Sequence, residues 1–177
     1  ISLGLVGSEM CIRDSCYGGM SQSKSVLNMM MMSFGAMAVV SIIYFLWGWS
    51  MSYGTQDIGG VFANPFEFFG LKDSITDADG NYIAGAWGYA NIIDVAFQVT
   101  FAIITVALIS GSIAGRVKYG TWLAFAGIWV TLAYFPLAHM VWGGGLLSGS
   151  EKGLAAKIFG TMVNDDGDTV ANVAPID

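Results

Sequence analysis

Three long apolar stretches, separated by polar and glycine-rich connections, set the pattern of this chain. They run from about 25 to 49, 92 to 114 and 121 to 142, and almost no charged residue interrupts them. A membrane-spanning helix needs about 20 apolar residues, because a rise of about 1.5 Å per residue then crosses about 30 Å of hydrocarbon. The pattern therefore predicts three transmembrane helices and an all-α membrane protein.

The second and third stretches form the centre of this prediction. Asp94, near the start of the second, and His139, near the end of the third, are the only acidic, basic or histidine side chains in the two. The connector 116–120 is short and carries Arg116 and Lys118. Two apolar helices joined so tightly must be antiparallel neighbours, so we predict a transmembrane hairpin.

Composition excludes several classes of protein. Of 177 residues, 55% are hydrophobic and 11% charged, with a mean hydropathy of +0.62, whereas a soluble domain carries about 25% charged residues. No basic cluster suggests a nucleic-acid partner. A single histidine cannot supply paired haem ligands, which argues against a membrane enzyme of the haem or quinone type. Cys11 and Cys16 lack metal-ligand spacing, so we expect neither a metal nor a cofactor.

The charges of the connections favour one orientation in the membrane. Loop 54–88 holds five carboxylates and the single basic residue Lys72. Lys24, Arg116 and Lys118 lie at the opposite ends of the predicted helices. Cytoplasmic loops carry an excess of Lys and Arg. We therefore expect a multi-pass plasma-membrane protein with Lys24 and Arg116 to Lys118 in the cytoplasm, and with segments 54–88 and 143–177 outside.

The second predicted helix collects distinctive residues on one face. Spacings of three and four place together Asp94, Phe97, Phe101, Thr105 and Leu108. A carboxylate within a span usually faces protein or water and marks a functional site. Either phenylalanine taken alone is more often a packing or lipid-facing residue. Asp94 is also so near the helix end that it is consistent with a cap or with contact to water.

Two further patterns predict helix packing. Gly111 and Gly115 form a small-xxx-small pair, which would let another helix approach closely. The methionine run 29–32 points in different directions on a helix, so packing is favoured over a copper site.

The end of the third predicted helix has two candidate residues. His139 follows Pro136, which we expect to kink the helix, and a lone histidine there is more often hydrogen-bonded packing than a proton relay. Trp142 stands at the predicted water boundary. It is equally consistent with an aromatic-belt anchor and with a wall that attracts cations by about 0.5 to 2 kcal/mol.

Three segments resemble the ammonium transporter (Amt/Mep/Rh) family. They are YGGMSQSKSVLN from residue 17, AFQVTFAIITVALISGSIAGRVKY from residue 96, and WLAFAGIWVTLAYFPLAHMVWGGGLL from residue 122. The resemblance covers nearly all of 17–177, and it is specific because AFQ-xx-FA-x-IT, PLAHMVWGGGLL and APID occur in the family's order and spacing. It implies the N-terminal part of an eleven-helix bundle with two inverted halves, assembled as a homotrimer with one pore per subunit.

The resemblance also implies roles for single residues. Phe101 matches one of two stacked phenylalanines that gate the outer end of the pore, with Phe97 one turn before it. Trp142 matches the aromatic wall of the external ammonium site, and Asp177 matches a carboxylate that orders the backbone near it. Asp94 is expected to be structural near the site. The second gate phenylalanine and the twin pore histidines have no counterpart in this chain, and His139 is neither of the pair.

The function implied is transport of ammonium or ammonia, not an enzymatic reaction, with a cytoplasmic nitrogen-regulatory protein as a candidate partner. The alternatives are a non-transporting structural or interaction fragment and a solute channel of another fold. Residues 1–16 resemble sequencing-adapter read-through, so we expect the transporter domain to be 17–177 and the chain to be truncated. Three helices alone are not expected to conduct.

Overall fold

Long helices dominate the structure, a computed structural model that describes residues 26–77, 79–85, 88–113, 115–150, 153–163 and 169–171. Within these residues, three helices are long and apolar enough to cross a membrane: Leu27–Tyr53, Asn91–Ile113 and Tyr119–Val141. The predicted membrane protein with three spanning helices is therefore confirmed. Lys24 and Asp177 lie outside the described residues.

The first and third spanning helices are each interrupted by a π-helical turn. The first consists of α1 (Val26–Ile43), a π-turn (Tyr44–Gly48) and α2 (Trp49–Tyr53). The second is the unbroken α3 (Asn91–Ile113). The third consists of α4 (Tyr119–Trp129), a π-turn (Val130–Tyr134) and α5 (Phe135–Val141).

Pro136 accounts for the distortion of the third helix. It lies in the first turn of α5, directly after the π-turn. Proline has no N–H to donate, and its ring clashes with the carbonyl of the preceding turn, so the helix must widen or bend there. The sequence predicts a kink at this place, and the structure shows that it takes the form of a π-turn.

The chain divides into two compact units: Ile1–Tyr44 with Ser74–Val130, and Phe45–Asp73 with Thr131–Asp177. The first unit contains α1, α3 and α4, and the second contains α2 and α5 together with the short elements of the loops.

In the first unit, α1 packs against both α3 and α4. Its buried residues recur every three or four positions, as expected for one helix face: Met29, Met32, Ser33, Ala36 and Val40. Within the methionine run, Met29 and Met32 are buried while Met31 is exposed. Met29 and Met32 thus pack in the core of this unit, as predicted.

A tryptophan fixes α4 against α1. The Trp122 side chain is fully buried, and its indole Nε1 donates a hydrogen bond to the carbonyl oxygen of Met32 at 2.8 Å. At Gly35 the helices approach so closely that a Cβ would overlap Tyr119 and Leu123. Glycine at position 35 therefore permits this close approach of the two helices.

The prediction that Gly111 and Gly115 form a small-xxx-small pair on one helix face is wrong. α3 ends at Ile113, and Gly115 has φ +73°, a left-handed conformation that glycine commonly adopts after a helix. The two glycines are therefore not on one helix face.

In the second unit, α2 packs against α5 and against a small hairpin. The hairpin pairs β1 (Asp57–Ile58) with β2 (Phe62–Ala63) in antiparallel register, Asp57 opposite Ala63. The remaining elements are a 3-10 turn (Phe69–Leu71), α6 (Leu154–Phe159), and β3 (Thr161–Val163) paired with β4 (Thr169–Ala171).

Candidate functional site

The face of α3 predicted from the sequence is an exposed surface of the first unit. Val95, Val99, Ala102 and Val106 are buried on one side of the helix. On the other side lie the residues that we call the aromatic face: Phe97 and Phe101, with Leu108 two turns further on. Phe97 is 44% exposed and Phe101 42%. Both rings are therefore partly accessible on this side of the helix.

The two phenylalanines form an edge-to-face pair. Their ring centroids are 4.9 Å apart and the ring planes meet at 81°, a favourable geometry for aromatic quadrupoles. The hydroxyls beside them bond to the helix itself: Thr100 donates to the carbonyl oxygen of Phe97 at 2.6 Å, and Thr105 to that of Phe101 at 2.7 Å. The two rings contact each other directly. Because the Thr105 hydroxyl uses its single proton in the bond to Phe101, it can only accept a hydrogen bond from a ligand.

Asp94 ties the start of α3 to the loop before it. Its carboxylate accepts a hydrogen bond from the Tyr89 hydroxyl and lies where a Cβ at Gly85 would be. Desolvation, the charge of Asp94 and this hydrogen bond together raise the pKa of Tyr89 above its usual 10.0. A carboxylate in the first turn is also favoured by the helix dipole. Asp94 therefore shapes the end of the aromatic face.

Trp142 belongs to the second unit and is half exposed. It is the C-cap residue of α5, where its backbone N–H donates to the carbonyl oxygen of Ala138 at 2.8 Å. The indole is therefore positioned by the helix end while its ring stays accessible. This placement agrees with either of its two predicted roles.

The three glycines after Trp142 fold into a turn in which the first and third positions have no room for a side chain. A Cβ at Gly143 would overlap the carbonyl oxygen of Ser52 and the imidazole of His139, and one at Gly145 would overlap the carbonyl oxygen of Gly60. Gly144 has φ +85°, which favours glycine. The motif thus lets the chain turn tightly against α2 and the hairpin.

His139 is the centre of a buried network. Its side chain is 1% exposed, with Nδ1 3.1 Å from the carbonyl oxygen of Ser52 and Nε2 3.3 Å from Oδ1 of Asp57. Both oxygens are acceptors, so the ring nitrogen that carries the proton donates to one of them. We call these three residues the His139 network. It confirms the prediction of hydrogen-bonded packing.

A cleft of about 560 Å³ lies beside this network, lined by Asp57, Lys157, Leu146 and four glycines. Sequence reasoning missed Asp57 and Lys157 here, because each is only one of several charges in a polar loop. The motif WGGG was the sequence signal that could have located the cleft, because Gly144 and Gly145 line it. Among the described residues, no three His, Cys, Asp or Glu side chains come together to hold a metal ion.

Comparison with known proteins agrees with the sequence motifs. A model of the Ammonium Transporter Family matches residues 12–163. An ammonium transporter of Mycobacterium tuberculosis (strain ATCC 25618 / H37Rv) is 48% identical over 135 residues, which are 71% of this chain and 28% of that protein. An ammonium transporter of Aquifex aeolicus is 46% identical over 132 residues, 75% of this chain and 30% of that protein.

A third relative, an ammonium transporter of Bacillus subtilis, is 41% identical over 131 residues, 73% of this chain and 30% of that protein. The chain thus spans less than a third of the length of these relatives. The spanning helices, the aromatic face and the WGGG turn all lie inside residues 12–163. On this evidence the chain belongs to the ammonium transporter family.

Proposed function

We propose that this chain forms part of a transmembrane path for ammonium or ammonia, in which the aromatic face of α3 lines the path. The observation that carries the proposal is the edge-to-face pair of Phe97 and Phe101, exposed on a spanning helix with Asp94 at its end. The names of the relatives, each an ammonium transporter, supply the substrate. Family membership does not favour a solute channel of another fold or a purely structural fragment.

Ammonium loses hydration when it enters a protein, and aromatic faces replace part of it. Each accessible ring attracts a small cation by about 0.5 to 2 kcal/mol. Trp142 is half exposed at the end of α5, so its ring is available for such a contact. In this proposal, which rests on the family resemblance, Trp142 belongs to the external ammonium site, Phe101 to the gate at the outer end of the path, and Asp177 to the backbone near the site.

Beyond Phe101, the positive charge of ammonium is the main barrier to crossing the membrane. Moving a full charge to the centre of a bilayer costs about 3 kcal/mol or more. The spanning part of α3 beyond Phe101 offers only apolar and hydroxyl side chains. A path lined this way favours the neutral ammonia molecule, with its proton released or relayed by other groups.

The orientation and assembly follow from the same reasoning. We propose that Lys24 and Arg116 to Lys118 face the cytoplasm of a plasma-membrane protein, and that segments 54–88 and 143–177 face outward. The acidic loop 54–88 supports this through the positive-inside rule. A homotrimer and a cytoplasmic nitrogen-regulatory partner are further proposals that rest on the family resemblance.

We also propose that the 177 residues alone do not transport. The rings of Phe97 and Phe101 are more than two-fifths exposed, and the relatives are more than three times as long as the aligned segment. The opposite wall of a path must therefore come from elsewhere. Uptake of methylammonium by vesicles that contain only this chain would contradict the proposal.

A chimera tests the function directly. Residues 17–163, the part of the expected transporter domain that the family model matches, replace the corresponding part of the M. tuberculosis transporter, and methylammonium uptake is measured in cells that lack other ammonium transporters. We expect uptake comparable to that of the intact M. tuberculosis protein. A chimera that reaches the membrane in equal amount but takes up no methylammonium would overturn the proposal.

A further inference from the structure

An exposed aromatic pair lies outside the spanning helices, on the loop after the β1–β2 hairpin. Phe66 is 74% exposed and Phe69 45%, and their rings stack with centroids 6.0 Å apart and planes at 29°. Two neighbouring exposed phenylalanines in a loop are unusual, because such rings gain free energy by leaving water.

Hydrogen bonds hold this loop against the side of the first spanning helix. The buried Ser50 hydroxyl donates to the carbonyl oxygen of Asn64 at 2.7 Å and accepts from the N–H of Phe68 at 3.0 Å. Phe66 lies between these two anchor points. Ser50 precedes the helix end at Tyr53 by three residues, about 4.5 Å along the axis. The backbone on both sides of Phe66 is therefore held beside the last turn of a membrane-spanning helix.

The acidic side chain of this loop segment, Glu67, is hydrogen-bonded to the chain itself. The Glu67 carboxylate accepts hydrogen bonds from the Thr55 hydroxyl and from the N–H of Gln56, the latter at 3.0 Å. It also lies where a Cβ at Gly54 would be. Within residues 65–71 no other side chain carries a charge, and the exposed pair Lys72 and Asp73 follows the segment.

We propose that segment 65–72 is an interfacial membrane anchor, in which Phe66 and Phe69 insert into the boundary between lipid headgroups and acyl chains. Two features support this partner: the two exposed rings on a backbone held beside the helix end, and the hydrogen-bonded Glu67, which leaves no free carboxylate between the rings. The left-handed backbone at Leu71, with φ 63°, is an uncommon conformation that holds the segment in this shape. The anchor is independent of ammonium transport.

Spin labels measure the depth of these residues. The full chain, with Cys11→Ser and Cys16→Ser, receives one cysteine at a time by Phe66→Cys or Phe69→Cys. Val61→Cys is the matched control, since Val61 is an exposed apolar residue at the tip of the same hairpin. Each labelled protein is placed in vesicles of phosphatidylcholine and phosphatidylglycerol. Collisions with oxygen, which partitions into lipid, are compared with collisions with a water-soluble nickel chelate.

We expect the oxygen-to-nickel ratio at positions 66 and 69 to exceed that at 61 several-fold. Equal ratios at all three positions would show a hydrated loop and overturn the proposal. Spin–spin broadening at 66 or 69 that disappears on dilution with unlabelled chain would also overturn it, because a second copy would then cover the rings. The two labelled positions are independent, so a folding defect at one leaves the other to decide.

Discussion

The aromatic face of α3 and the His139 network are built in opposite ways. Phe97 and Phe101 keep more than two-fifths of their surface exposed and form an edge-to-face pair, whereas the His139 ring is 1% exposed and has a hydrogen-bond acceptor within 3.3 Å of each nitrogen. Both are regions of spanning helices that a reader of the sequence would examine for function. The rings of the aromatic face are accessible to a substrate, whereas the imidazole of His139 is not.

The difference teaches how to assign roles to polar and aromatic residues in a membrane protein. Truncating an exposed ring removes a binding surface but leaves no buried void. Removing a buried polar group leaves its partners unsatisfied, which costs about 1 to 3 kcal/mol for each group. Substitutions in the aromatic face should therefore change the rate of transport, whereas substitutions in the His139 network should lower the free energy of unfolding.

The largest effect is expected from His139→Leu. This change leaves the oxygen that accepts the imidazole N–H, either the carbonyl oxygen of Ser52 or Oδ1 of Asp57, without its donor, so we expect a loss of about 2 to 3 kcal/mol. Thermal unfolding in detergent, followed by gel filtration, measures it. Asp57→Asn is the control, because the amide oxygen still accepts hydrogen bonds. A His139→Leu protein as stable as the parent would contradict a structural role.

Gly143→Ala should have the next largest effect. The added Cβ would overlap the carbonyl oxygen of Ser52 and the His139 ring, and overpacking of this kind costs about 1 to 3 kcal/mol. Gly120→Ala is the matched control, since nothing lies within 4 Å of its Cβ position. Equal melting temperatures for the two variants would show that the turn is not tightly packed.

Trp142→Ala separates binding from stability. Loss of one cation contact of about 0.5 to 2 kcal/mol should raise the methylammonium concentration at half-maximal uptake by about 2- to 30-fold in the chimera. The melting temperature should change little, because the ring is half exposed. Trp142→Phe retains an aromatic face and should lose less. An unchanged half-maximal concentration in Trp142→Ala would favour the aromatic-belt alternative.

The smallest effect concerns Tyr89 beside Asp94. Asp94→Asn removes a charge that raises the pKa of the Tyr89 phenol, so that pKa should fall toward 10.0. Because the folded chain holds this proton more tightly than the unfolded chain, the associated stability is present below about pH 10 and is lost as the pH rises through the folded-state pKa. Ultraviolet titration measures the shift, with Tyr89→Phe identifying the signal. The same Tyr89 pKa in the parent and in Asp94→Asn would contradict the contact between Tyr89 and Asp94.

Much of the fold could be predicted from the sequence because membrane helices are signalled locally. Runs without charge give the three spans, and the spacing of Phe97 and Phe101 gives their shared face. The burial pattern within the methionine run also follows from helical periodicity. In each case the relevant residues lie within a few turns of one another.

The rest depends on contacts between distant parts of the chain. Asp57 and His139 are 82 positions apart, and nothing in the local sequence pairs this carboxylate rather than its neighbours with the histidine. The same is true of Gly143 and Ser52. Gly115 was misjudged because the helix ends two residues earlier, and a helix boundary is weakly specified by an apolar run.

The most direct test is methylammonium uptake by the chimera with Phe101→Ala, compared at equal membrane amounts with Phe34→Ala. Phe34 is a matched control, because it is 47% exposed on α1 against 42% for Phe101. Our account predicts that Phe101→Ala changes the uptake rate several-fold without lowering thermal stability, while Phe34→Ala transports like the parent. Equal uptake by the two variants would contradict the claim that the aromatic face lines the path.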